Sequence, residues 1–273
     1  MKKAVLLTVV LAAAVLVGCS GKLSDKYITV NEYEGIEVEK AEVTETTDEE
    51  IDKVVARMMQ GYTAQHDLPE NTEITDEIVK ETLSDKAETV EQYRQELKKQ
   101  IDAAKEEAAR SKIETRVWEK VIDNSEVKEY PEDRVKEVKK HLKSQYEAYA
   151  KEAGAEYDDY MEALGMTDKE LEKAAKASVK QELAAEVIAD KYGLKPNDED
   201  FQKALEEYAD EYKFANVDLL LEAVPEEEMR LLVTQDNVKS WLADRCKLVE
   251  PSEKTKSEDK KETAEKADES AKQ

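Results

Sequence analysis

Glycine, proline, histidine, cysteine and aromatic side chains are all scarce in this chain of 273 residues. It has seven Gly, five Pro, two His and two Cys, and Phe, Trp and Tyr together make up 6%. Each scarcity excludes something. There is no Gly-rich phosphate loop and no G-x-S-x-G nucleophile turn. His66 and His141 stand far apart and neither belongs to a metal-ligand spacing, so both are read as surface residues. Carboxylates are so abundant that acidic pairs occur everywhere. None sits beside an acid–base partner, and they are read as solvated helix faces. No catalytic residue, metal or cofactor is expected, and nothing points to an enzyme. Acid outnumbers base, 66 Asp and Glu against 42 Lys and Arg, so the formal net charge is −24. Such a surface repels phosphate backbones, which excludes nucleic acid as the natural partner.

Only one stretch is both long and apolar. After Lys2 and Lys3, Ala4 to Val17 runs without a charge, too short for a comfortable membrane span and suited to the core of a signal peptide. It ends in Leu16-Val17-Gly18-Cys19, which resembles the lipobox of bacterial lipoproteins. The resemblance implies that residues 1–18 are a lipoprotein signal peptide and that Cys19 becomes the acylated, palmitate-bearing N-terminus. Several acyl chains, each CH₂ worth about 0.8 kcal/mol of transfer free energy, give stable attachment where one chain does not. The expected location is the extracytoplasmic face of the cell membrane. With Cys19 lipid-bound, Cys246 has no partner for an intrachain disulfide, and the fold must stand on its hydrophobic core. Cys246 follows Trp241 and Leu242 near a helix end and is read as a buried, inert thiol.

What remains is helix. Thr89 to Asn124 reads as a single long one: Thr89 with Gln92 has the form of a capping box, and Val90, Tyr93, Leu97, Ile101, Ile113, Val117 and Val121 continue an apolar rhythm without Gly or Pro. At about 1.5 Å per residue it spans roughly 50 Å, which suggests an arm. Thr47-Asp48-Glu49-Glu50 and Thr167-Asp168-Lys169-Glu170 are two more capping boxes, opening helices that run out near Gly61 and at Gly193. Further helices are expected over Glu132 to Ala153, Tyr157 to Leu164, Asn197 to Phe214, Val217 to Val224 and Pro225 to Leu248. Residues 19–45 read as the lipidated Cys and an extended linker or short strand, 46–249 as the helical domain, and 250–273 as a disordered charged tail.

Several of these stretches resemble the trigger factor family of ribosome-associated chaperones. Tyr33-Glu34-Gly35-Ile36-Glu37-Val38-Glu39-Lys40 with Thr47 to Asp52 is similar to the linker that enters the family's isomerase domain. Glu73-Ile74-Thr75-Asp76-Glu77, Thr89 to Tyr93 with the long helix, Val127 and Tyr130-Pro131 are similar to its helical C-terminal chaperone domain. The Gly-Phe-Arg-x-Gly-Lys ribosome-docking signature is absent, and Gln60 to Glu73 is too short to hold the FKBP-type isomerase domain. The resemblance therefore implies an all-α, elongated multi-helix chaperone body with projecting arms, and no ribosome as partner. It implies an ATP-independent holdase or foldase for unfolded or nascent exported polypeptides, gripped in a helical cradle. Candidate client-binding residues are Met58, Met59, Tyr62, Tyr146, Tyr149, Tyr157, Tyr160, Met161 and Met166, because flexible Met and amphipathic Tyr suit promiscuous contact. Two other readings stand beside it: an adaptor lipoprotein serving one defined envelope partner, and a residual prolyl isomerase.

Overall fold

A computed structural model describes residues 21–83, 86–253 and 255. The expected signal peptide and Cys19 lie outside the described residues, as does nearly all of the expected tail. In chain order the elements are β1 (Leu23–Ser24), β2 (Ile28–Val30), β3 (Glu37–Glu39), α1 (Asp48–Gln65), α2 (Asp76–Ile78) continued by a π-helical turn (Val79–Leu83), and α3 (Val90–Asp123). Then come β4 (Ser125–Val127), α4 (Glu132–Glu152), α5 (Tyr157–Ala163), α6 (Asp168–Tyr192), α7 (Asp198–Glu211), α8 (Val217–Ala223), α9 (Glu226–Ala243) and β5 (Lys247–Val249). The class is all-α, since no strand exceeds three residues.

The helices begin where short polar side chains satisfy their first backbone donors. Thr47 Oγ1 accepts from Glu50 N at 3.3 Å while Glu50 Oε2 accepts from Thr47 N at 2.8 Å, a closed capping box. Thr167, Asn197 and Asn216 cap α6, α7 and α8 by the first half of that arrangement alone, each side-chain oxygen accepting from the backbone N–H three residues on. At α3, Thr89 accepts from Gln92 N at 3.2 Å, but the Gln92 side chain accepts from Glu88 N. Helix α6 stops at Gly193, whose φ of 67° is the left-handed cap that a side chain would strain.

The chain divides into two compact units, with boundaries between Ile36 and Glu37, inside α3 and inside α9. Among the described residues, the first comprises 21–36 and Lys120 to Val238. Its centre is α6, which buries Leu171, Ala175, Val179 and Leu183 at four-residue steps and then Ala184, Ala185, Ile188 and Ala189. Helix α4 packs along it, and β1 and β2 lie against it. Strand β2 pairs antiparallel with β1 and with β4, in the register Ile28 to Val127 and Val30 to Ser125. Phe201, Leu205, Ala209, Leu220, Met229 and Val233 close a second cluster among α7, α8 and α9.

The second unit comprises, among the described residues, Glu37 to Glu119 and the chain from Lys239 to Glu253 with Thr255. Ile51, Val55 and Met59 of α1 meet Val79, Ala87, Tyr93 and Leu97. Asp76 Oδ1 accepts from Val90 N at 2.7 Å, tying α2 to the first residue of α3. Strands β3 and β5 form a parallel pair, and Arg116 Nη1 reaches the carbonyls of Glu39 and Lys40 at 3.0 and 3.1 Å.

Within the stretch expected to be an extended linker or short strand, Leu23–Ser24, Ile28–Val30 and Glu37–Glu39 are strands. All three residues of β2 are buried, the polar Thr29 included, although its sequence alternates apolar and polar. No described helix is long and apolar enough to cross a membrane.

Candidate functional site

Helix periodicity decides the fate of the residues expected to meet clients. In the second unit, Met58 and Met59 are neighbours on α1, about 100° apart around the axis, so one alone can face inward. Met59 is 7% exposed in the core and Met58 is 41% exposed. Tyr62 is half-buried, its ring 4.4 Å from that of His66. The expectation that Met59 is presented at the surface is therefore corrected: in this conformation it is packing.

In the first unit, Tyr146 and Tyr149 sit one turn apart on α4 with rings edge-on at 6.4 Å. Tyr149 is 50% exposed, while Tyr146, Tyr157, Tyr160 and Met166 are half-buried. Met161 is 6% exposed, a second residue that packs where presentation was expected. Tyr157, Met161 and Met166 come together around a cleft of about 440 Å³, with Lys143 Nζ 5.3 Å from the Tyr157 ring centre. Tyr146, Tyr149 and Tyr160 do not line it.

A larger groove, of about 720 Å³, lies between α4, α6 and the α8–α9 corner of the same unit. Its larger apolar side chains are Val138, Leu142, Val224 and Leu232, the last 42% exposed. Gln145, Gln181 and Gln235 add one carboxamide from each of the three helices. The sequence offered two signals for it, the Leu231-Leu232 pair and the Gln residues in a chain of charges. Neither carries its meaning until α4, α6 and α9 are together.

The groove's carboxylates are compensated. Arg134 donates to Glu182 through Nε at 2.8 Å and Nη2 at 3.1 Å, and it also holds Glu228 and Glu137. Its hydrogen bond to Glu228 leads the causes that push the guanidinium further up, against the cost of burial. The same hydrogen bond holds the Glu228 carboxyl below its usual range, although burial works the other way. Such an arrangement can bind, but it offers no acid–base pair for chemistry. Among the described residues no group of three or more His, Cys, Asp or Glu could hold a metal ion. His66 and His141 are both exposed, and burial pushes the half-buried Cys246 thiol up, away from the thiolate.

Three comparisons relate this chain to known proteins. A family model described as the bacterial trigger factor protein C-terminus matches residues 89–245. The chain is 26% identical over 213 residues to the trigger factor of Streptococcus uberis, covering 76% of this chain and 47% of that protein. It is 26% identical over 175 residues to the trigger factor of Streptococcus mutans, covering 63% and 38%. It thus spans about half, or less, of the length of the curated relatives it matches. Among solved structures, a trigger factor chaperone described for promiscuous substrate recognition in folding and assembly is 22% identical, covering 63% of this chain and 43% of that one, with a TM-score of 0.37.

Proposed function

Because the chain belongs to the bacterial trigger factor C-terminal family, we propose that it is a chaperone: a membrane-anchored, ATP-independent holdase for unfolded polypeptides on the extracytoplasmic side. The observation that carries the chaperone reading is the family match over 89–245, which takes in the 720 Å³ groove and the Tyr157–Met166 cleft. Exposed apolar groups among hydrophilic faces give transient contacts to non-native segments, and the acidic surface keeps the complex soluble. Weak, multiple contacts release the client without nucleotide. The anchor rests on the sequence of residues 1–19 alone, where the charged start, the apolar run and Leu16 to Cys19 follow in order. The partners in this reading are unfolded or nascent exported polypeptides and, through Cys19, the lipid bilayer.

The test is aggregation of a reduced model client, followed by light scattering, with and without residues 20–273. Suppression at stoichiometric amounts, without ATP, is the expected result. No suppression, with capture of one defined envelope protein from intact cells, would replace the chaperone by an adaptor.

A further inference from the structure

We propose that the first unit stands end-on against the lipid bilayer at the corner where Gly21, Tyr33 and Tyr192 meet, and so holds the Tyr157–Met166 cleft a helix length away from the lipid. The inference rests on the Cys19 anchor of the preceding reading and specifies how that anchor presents the folded body.

The tether has no slack. An acylated Cys19 is two peptide links from Gly21, and two links reach at most roughly 7 Å in any conformation. A headgroup layer is itself about 5–8 Å deep, half the difference between the full bilayer and its hydrocarbon core. Gly21 is therefore confined to the outer headgroups, and whatever it packs against is confined with it. It packs against the fold: a Cβ at position 21 would stand 2.7 Å from Tyr33 Oη and 2.9 Å from the ring. Tyr33 is 4% exposed, and its Oη lies 2.8 Å from that of Tyr192, the last residue of α6. Strand β1 starts at Leu23, four residues after Cys19, pairs with β2 and lies against α6. Lys128 Nζ then holds the Ser24 hydroxyl and the Asp25 carbonyl, each at 2.5 Å. Four residues are too few for a stalk.

Charge sets which way the unit leans. The charged residues flanking Gly21, Tyr33 and Tyr192 are Lys22, Glu32, Glu34 and Lys191, two of each sign and all exposed. Tyr192 closes α6, whose 25 residues span roughly 36 Å. At the opposite end, residues 143–170 run from the last turns of α4 through α5 into the start of α6, and they carry eight carboxylates against three lysines. Helix α5 itself bears Asp158, Asp159 and Glu162 and no base. Anionic headgroups repel that end and not the balanced corner, while the covalent tether pulls on the corner alone. The two effects turn the same end of α6 toward the lipid. Met166 and Asp168, at the other end, line the cleft, which is thus presented outward.

The experiment uses the full, acylated chain in vesicles of phosphatidylcholine and phosphatidylglycerol whose headgroups carry a nitroxide quencher. In a Cys246→Ala background, a single fluorophore is attached at Lys22→Cys or at Leu164→Cys, the latter position 51% exposed and four residues ahead of α6. The label at position 22 should lose most of its fluorescence and the label at position 164 almost none. About twenty Gly/Ser residues inserted between Ser20 and Gly21 lengthen the tether by roughly 25 Å and should restore the label at position 22. Equal quenching of the two labels overturns the end-on stance. Quenching at position 22 that survives the insertion overturns the short tether as its cause. If neither label is quenched while the protein floats with the vesicles, the proposal falls and the anchor stands. If the wild-type chain carries no acyl group and does not float, the anchor reading falls and takes the proposal with it.

Discussion

Arg134 on α4 grips Glu228 on α9 with two parallel hydrogen bonds, Nη1 to Oε1 at 2.7 Å and Nη2 to Oε2 at 2.8 Å, while its Nε edge holds Glu182 on α6. One planar fork thus joins three helices of the first unit, which suits Arg and not Lys. All three side chains are about four-fifths removed from solvent.

Arg134→Ala should therefore be costly, because it strands two half-buried carboxylates beside each other. The expected loss is about 2–3 kcal/mol, the lower end of the range for breaking a buried pair since some solvent reaches these groups. Arg134→Lys should lose less but still fall below the wild type, having a point charge where a fork is needed. Urea unfolding of residues 20–273, followed by circular dichroism, measures both.

The same contact fixes a pH dependence. Arg134 holds the Glu228 carboxyl below its ordinary value. As pH falls, the unfolded chain takes up that proton first, so the stabilisation is fully present above the ordinary carboxyl range and drains away below it. Stability should be flat from neutrality down to about pH 5 and then drop, as expected from a free Glu value near 4.3. Glu228→Gln should be less stable at neutral pH and show a shallower acid slope. An unchanged slope would mean that other carboxylates set the acid limit.

Met58 and Met59 separate packing from presentation. Met59→Ala should cost about 2–4 kcal/mol by opening a cavity in the second unit, whereas Met58→Ala should stay within about 0.5 kcal/mol. On the chaperone reading, Met58→Ala should nonetheless weaken suppression of client aggregation. Denaturation and light scattering on the same two variants test both halves.

Cys19→Ala should move the protein from the membrane pellet to the soluble extracytoplasmic fraction and abolish incorporation of labelled palmitate. Pelleting that survives the substitution, with no label in the wild type, would remove the lipid anchor.

How much of this was visible beforehand depended on how local the cause was. Capping residues act within four positions, so Thr47, Thr167 and the run from Val90 to Asp123 were readable from the chain alone, and with them the all-helical class. The short strands are legible only in part: alternation around Ile28, Val30, Ile36 and Val38 allows a strand over β2 and β3, but nothing local gives their partners. Strand β3 meets β5 across 210 positions. The π-helical turn at Val79–Leu83 left no mark beyond a short apolar run. Residue type marks the Met and Tyr candidates but cannot say which side of a helix faces out, and Met59 and Met161 are buried. The Gln-lined groove was hidden because a lone Gln on a polar helix looks like any solvated residue until three helices converge.

The β3–β5 pair also orders events in time. Lys40 Nζ contacts Glu250 at 2.5 Å and Ser252 N donates to Glu39 at 3.0 Å, so residues near position 40 are secured by partners that come more than two hundred positions later. A polypeptide made and delivered from its N-terminus must hold Glu37–Lys40 unpaired until almost the whole chain has emerged. Closure of the second unit is thereby a late, whole-chain event with high contact order, and truncation just before Lys247 would be felt at Glu37–Lys40.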